Sequence, residues 1–571
     1  MAFQLSAGVN VSEIDLTTIV PAVGTTEGGF AGRFAWGPVD QVQTLSNELE
    51  LVEIFGRPDS NTYISFFTAA NFLSYARALR TVRVVDASVA KNATANGSGV
   101  LIKNKDAYEQ TYFGLGTGTY GVAAARYPGD MGNSLKVEIF ANTSTSAFNS
   151  WAYNQNFNGA PGTSDYVAGV ASSAAYDEMH IVVIDKNGRF SGSANSVLER
   201  YGYVSKAPDA INDDGSSNYY VNVINEKSKY VYIMSHPMGM TTGNNWGVPA
   251  TSNTSIAYEA NVQYSVALSS GITSSPTSAN LISGFDKFKN PEEIDVSLIL
   301  TGDIGANSTI ASYIVDNICE VRKDCVAFFS PRASDVVNQA AGTEANSAVT
   351  FRNQFNSSSY AVMDSAWKYQ FDKYNNVYRW VPLNGDIAGL CARTDYERDP
   401  WFSPAGFTRG SIKNAAKISW NPTKAERDLL YKNGVNPVVT FPGEGIVLYG
   451  DKTLLAKPSA FDRINVRRLF IVLEKAIARA SRYSLFEFND EFTRAQFVAL
   501  VEPFLRDVQG RRGIYDFRVV CDETNNTPEV IDRNEFVGDI YIKPARSVNF
   551  IQLNFVAVRT GVAFDEIVGK F

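Results

Sequence analysis

Residues 295–330 constrain the fold more than any other stretch of this chain. Asp295–Thr301 is a continuous apolar run of strand length, Ile310–Arg322 reads as an amphipathic helix, and Cys325–Ser330 is a second buried strand. Two such strands joined through a helix give βαβ order, the kind of crossover that parallel neighbours in a sheet require. Similar α/β patterning occurs near the beginning. The Gly-rich strand and turn GGFAGRFAWGPVD (28–40) leads to an amphipathic stretch at Ser46–Phe55 that stops at Gly56-Arg57-Pro58. A second helix, about Tyr63–Leu79, then precedes a strand at Thr81–Asp86.

With 571 residues the chain exceeds one compact core and divides into roughly three or four folding units. Hydrophobic residues make up 45% and charged residues 19%, a globular balance. From about Lys91 to Ser283 the composition shifts toward Ser, Asn, Gly, Ala and Tyr. Short alternating runs and hairpin signals appear there, such as HIVVIDKNGRF (180–190), where Asn187-Gly188 suits a tight primed turn. Residues 360–450 read as short strands and turns rich in Trp, Gly and Pro, and 459–508 as two helices. Strands follow near Tyr515–Cys521, Phe536–Ile542 and Val548–Val558. The expected fold class is a multidomain α+β or α/β chain, its core built from both ends with β-rich insertion domains in the middle. The expected boundaries are an arm at 1–20, core at 21–90, insertions at 91–283, α/β core at 284–360, C-terminal core at 361–558 and an arm at 559–571.

The formal net charge of -8 argues against a dominant nucleic-acid-binding surface. No basic segment precedes an apolar run at the start, and no run reaches the ~18 apolar residues of a membrane span. The expectation is a cytosolic product without membrane insertion. Cys319, Cys325, Cys391 and Cys521 match no common zinc spacing and read as reduced core residues.

Candidate chemistry does not survive inspection. Gly116–Gly121 fits GxGxxG without the helix that dinucleotide binding needs. Gly445–Thr453 comes within one residue of a phosphate loop, but IVLY reads as a strand and Asp451 would place an acid against phosphate. His180 and His236 are the only histidines, so a nucleophilic relay has almost no base, and HExxH is absent. Asp213-Asp214-Gly215 is a turn rather than a calcium loop. No catalytic, cofactor-binding or metal residue is assigned.

The helix Val466–Tyr483 is more informative. Val466, Leu469, Phe470, Leu473, Ile477 and Ala480 share one face, and Arg468, Lys475, Arg479 and Arg482 form a stripe opposite. That stripe is either a solvated surface or a docking face for an acidic partner. The next helix is expected to start after a cap at Asn489 and to kink at Pro503. Both ends of the chain carry short apolar alternation outside any core: Val9, Val11, Ile14 and Leu16 at the start, and Val562, Phe564 and Ile567 within 559–568.

Several blocks carry a family resemblance. GVNVSEID (8–15), GGFAGRFAWGPVD (28–40), IFGRP (54–58) and ARYPGDMGNSLKVEIF (125–140) are similar to segments of phage tail sheath proteins. WVPLNGDIAGLCARTDYERDPWFSPAGFTRG (380–410), GVNPVVTFPGEGIVLYGDKTL (434–454), FDRINVRRLFIVLEKAI (461–477), FEFND (486–490) and FRVVCDETNN (517–526) follow in that family's order. The resemblance covers about the first 90 and last 280 residues well, and the middle only loosely. It implies a non-enzymatic virion protein, made in the host cytoplasm, that stacks as hexameric rings around a tail tube and contracts to drive the tube through the host envelope. It implies no cofactor, arms that exchange between copies, and contacts with tube, baseplate and tail terminator proteins; for the basic helix the hypothesis is that Arg468, Lys475, Arg479 and Arg482 face an acidic tube surface. An R-type bacteriocin or type VI-like sheath is the alternative within that class; a carbohydrate-binding or hydrolytic tail component is the alternative outside it.

Overall fold

The computed structural model describes residues 24–112, 118–171, 175–237, 244–549 and 552. They fall into two compact units, one built from Ala22–Pro400 with Pro404–Ala476, the other holding Trp401–Ser403 and the chain from Ile477 onward.

A seven-stranded sheet organises the larger unit, in the order 435–436, 361–364, 326–329, 298–300, 28–32, 79–83 and 42–45. Every neighbouring pair is parallel except the last, where Val42–Leu45 runs antiparallel to Leu79–Arg83. Parallel strands must be covered on both faces. Accordingly Gly28–Gly32, Leu298–Leu300, Val326–Phe329 and Ala361–Asp364 are buried along their whole length. The expected βαβ order is present: Leu298–Leu300 and Val326–Phe329 pair in parallel across a helical crossover at 308–322. That crossover contains a π-helical turn at Val315–Cys319 and closes on Lys323 at φ 62.

The helix Glu48–Phe55 has the boundaries its caps dictate. Asn47 accepts a hydrogen bond from the Glu50 backbone N–H, and Gly56 ends the helix at φ 77. The next helix stops at Leu73, earlier than expected, because the Ser74 hydroxyl donates to the Asn71 carbonyl at 2.7 Å and offers the backbone another route. The strand that follows, Leu79–Arg83, begins two residues before its expected start.

Two helices occupy the stretch read as strands and turns. Asn384–Glu397 carries Gly385 and Gly389, which look like breakers but serve close packing. A Cβ on Gly385 would stand 2.5 Å from the Thr68 carbonyl oxygen, and one on Gly389 would stand 2.5 Å from Cδ2 of Tyr75. Lys424–Lys432 opens with a capping box, in which Thr423 and Glu426 satisfy each other's backbone N–H groups. The phosphate-loop-like segment is a strand, Gly445–Leu448, paired antiparallel with Val438–Phe441.

The chain between the two halves of the parallel sheet makes sheets of its own. Four antiparallel strands lie in the order 196–205, 178–185, 135–142 and 261–267, beside a two-stranded pair at 123–125 and 231–233. Alternate residues of its central strands serve different cores: Val137, Ile139, Ile181 and Val183 pack in one, Phe140, Val182 and Ile184 with Trp151 in another. The expected tight turn at Asn187-Gly188 is a longer loop. The Asp185 carboxylate accepts from the N–H groups of Arg189, Phe190 and Ser191, so the loop winds about one buried charge before the strand at 196–205 begins.

In the smaller unit the helix Glu491–Gly510 runs through Pro503, with Asp490 as its cap, one residue beyond the expected Asn489. Phe497, Val501, Leu505 and Val508 form its buried stripe. The strands Ile514–Val520 and Asp539–Pro544 pair antiparallel, with a bulge between Ile514 and Asp516. Val548 and Asn549 are not in a strand, and the rest of the strand expected over 548–558 lies outside the described residues, apart from the single residue Gln552.

Candidate assembly surface

The helix Ile464–Ser481 places the expected basic stripe in two different environments. Its first turns are buried all round, including Asn465, Arg467 and Arg468. Arg468 donates to both oxygens of Asp395, at 2.7 and 2.5 Å, and to the Cys391 carbonyl at 3.1 Å. Thr25 adds a hydroxyl hydrogen bond to the same carboxylate at 2.6 Å. Burial raises the Asp395 carboxyl, and the guanidinium of Arg468 opposes that rise. Two turns farther along the stripe, Lys475 donates to Asp295 at 2.6 Å and to the Ser297 hydroxyl at 2.8 Å. Arg468 and Lys475 are therefore tied into the protein's own interior, which corrects the reading of four cations on one open face. Arg479 and Arg482 are exposed.

Tyr483, Leu485, Phe486, Phe488 and Phe492 are between 62% and 105% exposed, a concentration of large apolar side chains within ten residues. The sequence signal was the run YSLFEF, apolar but with neither helical nor strand periodicity to give it a core. The hairpin 514–520/539–544 has no third strand on either side among the described residues, and Tyr515 and Tyr541 project from it into solvent. The arm residues Val9, Val11, Ile14, Leu16, Val562, Phe564 and Ile567 lie outside the described residues.

Both histidines are built into aromatic clusters. His180 stacks on Phe157 with ring centroids 4.1 Å apart, and its Nδ1 accepts from the Tyr203 N–H. His236 shares a 2.6 Å hydrogen bond with the Tyr220 hydroxyl, and burial pushes it down to about 4. Among the described residues, no three His, Cys, Asp or Glu side chains cluster as metal ligands would. No helix among them is long and apolar enough to cross a membrane.

Comparison with known proteins places this architecture. Residues 274–454 match the phage tail sheath protein central domain, and residues 456–557 match the phage tail sheath C-terminal domain. The chain is 37% identical to the tail sheath protein of Vibrio phage KVP40, covering 99% of this chain and 100% of that one. It is 34% identical to the tail sheath protein of Enterobacteria phage T4, covering 99% of both. In fold it is similar to the sheath tail protein of Desulfitobacterium hafniense (TM-score 0.52, 10% identity, 94% of this chain and 100% of that one). It is also similar to the sheath tail protein of Listeria innocua (TM-score 0.51, 12% identity, 93% and 97%). The full-length identity and the two consecutive domain matches agree with the mixed parallel-sheet fold, and the chain belongs to the phage tail sheath protein family.

Proposed function

We propose that this protein is the structural subunit of a contractile phage tail sheath. Copies polymerise as stacked hexameric rings around a tail tube, and a collective rearrangement shortens the sheath and drives the tube through the host envelope. The work comes from subunit interfaces that are better packed in the short state than in the extended one, with no nucleotide or cofactor. The reading makes the protein a virion component assembled in the host cytoplasm, with tube, baseplate and terminator proteins as partners. Residues 91–283 are its outward insertions, and Arg479 with Arg482 its tube-facing cations.

The observation that carries this reading is the hairpin 514–520/539–544, which has no third strand among the described residues. Two strands alone are marginally stable in water, and their outer edges are templates for further pairing. Arms at 9–19 and 559–568, supplied by neighbouring copies, would complete the sheet with backbone hydrogen bonds that hold tension while the flanking linkers bend. Such contacts run head to tail and propagate without closing on a single pair. The test is deletion of residues 1–20, followed by negative-stain microscopy of the purified protein. Folded monomers unable to form tubes or rings are expected. Sheaths of normal length from the truncated protein would refute the strand-exchange reading.

A further inference from the structure

The exposed aromatic segment 483–492 is held in place rather than loose. Asn489 at its base donates to Asn526 Oδ1 at 3.1 Å and to the Glu535 carbonyl at 2.8 Å, and accepts from Arg494 Nη1 at 3.0 Å. Asp490 caps the following helix through the Thr493 N–H at 2.8 Å. Short-range backbone hydrogen bonds from Leu485 to Arg482 and from Glu487 to Ser484 fix the turns between. Phe486 sits at φ 69, a left-handed conformation that disfavours any residue with a Cβ, and its ring is fully in solvent. Strain retained for an exposed phenyl ring has no return within the isolated chain.

We propose that the segment 483–492 is a docking surface for a second copy of this chain. The inference rests on the polymerising role argued above and names a contact within it that is separate from the exchanged arms. Area is the first argument. A buried aromatic side chain contributes on the order of 150–250 Å², so four aromatics and a leucine supply roughly the ~800 Å² that one partner brings to a stable interface. Scattered surface apolar residues on a monomer do not reach that density.

Charge selects the occupant. Glu487, Asp490 and Glu491 are exposed toward the C-terminal end of the segment, past the two cations assigned to the tube. A copy shifted head to tail presents its own apolar surface to these rings, and the contact repeats along a polymer. An acidic tube surface would instead meet the three carboxylates with like charge. Through Asn489 the loop is also tied to the connector of the 514–544 hairpin, so the docking loop and the strand-accepting hairpin are joined by direct hydrogen bonds.

The test is the double variant Phe486→Gly/Phe488→Ser in the full chain. Glycine suits φ 69, so the monomer should melt no lower than wild type while the docking rings are lost. Self-association is followed by sedimentation and pelleting, with and without tail tubes. A rise of about tenfold or more in the concentration needed for self-association without tubes is expected. An unchanged concentration overturns the proposal, as does a defect seen only when tubes are present, which would assign the loop to the tube. Wild-type dimers that never grow into tubes, but vanish in the variant, uphold the docking surface while refuting the sheath role. A wild-type chain that stays monomeric throughout refutes both.

Discussion

Replacing Arg468 by methionine separates a folding role from a docking role at the basic helix. The guanidinium and the Asp395 carboxylate are 3% and 6% exposed, and their closest approach is 2.5 Å. Methionine fills much of the aliphatic volume but leaves Asp395 inside the protein with the Thr25 hydroxyl as its remaining side-chain donor. Removing one member of a buried ion pair costs about 3–5 kcal/mol, mostly the desolvation of the charge left behind, or about two to three and a half powers of ten in the folding equilibrium. The double variant Arg468→Met/Asp395→Leu should recover most of that loss, because an apolar pair carries no stranded charge. Urea denaturation followed by tryptophan fluorescence, below the concentration at which polymer forms, measures both. An Arg468→Met protein within about 1 kcal/mol of wild type, yet defective in assembling on tubes, would refute the assignment and return Arg468 to the surface.

Reversing charge at Arg479→Glu/Arg482→Glu should leave the melting temperature unchanged and weaken assembly on tubes most at low salt, read by co-sedimentation. Gly385→Ala should lower stability by about 1–3 kcal/mol, since its methyl group meets the Thr68 carbonyl; Gly510→Ala, with nothing within 4 Å, should be neutral or slightly stabilising in the same denaturation assay. Burial pushes His236 down to about 4 in the fold, against about 6.5 when unfolded. Between those values the unfolded chain takes up a proton that the folded chain refuses, so this contribution is complete above 6.5 and is lost as pH falls toward 4. His236→Gln should flatten that part of the stability profile, and an unaltered slope in pH-dependent melting would remove the histidine as its cause.

Local chemistry was legible where it acts over a few residues. Gly56 stops a helix in the sequence as it does in the fold, and the apolar runs around 298 and 326 are parallel neighbours. What escaped depended on partners far along the chain. Asn384–Glu397 has ten buried residues, so no polar face gave it a period, and its glycines make sense only once Thr68 and Tyr75 are beside them. Arg468 looked like a surface cation because Asp395 is 73 residues away. The Lys424–Lys432 helix was readable from Thr423 and Glu426, but the surrounding Trp, Gly and Pro outweighed that signal. At Asp185 the dipeptide pointed correctly to a reversal, and the carboxylate set its length.

The parallel sheet also sets a timetable for synthesis. Its strand 28–32 pairs on one side with 79–83, but its other neighbour, 298–300, emerges about 265 residues later. At about 5–20 residues per second, the ribosome needs tens of seconds to deliver that partner, and for this interval an apolar parallel edge waits open. The intervening region can fold while it waits, since its four strands pair among themselves. Nascent chains of this protein therefore face their greatest aggregation hazard before the second half of the sheet leaves the exit tunnel, well before any copy meets another.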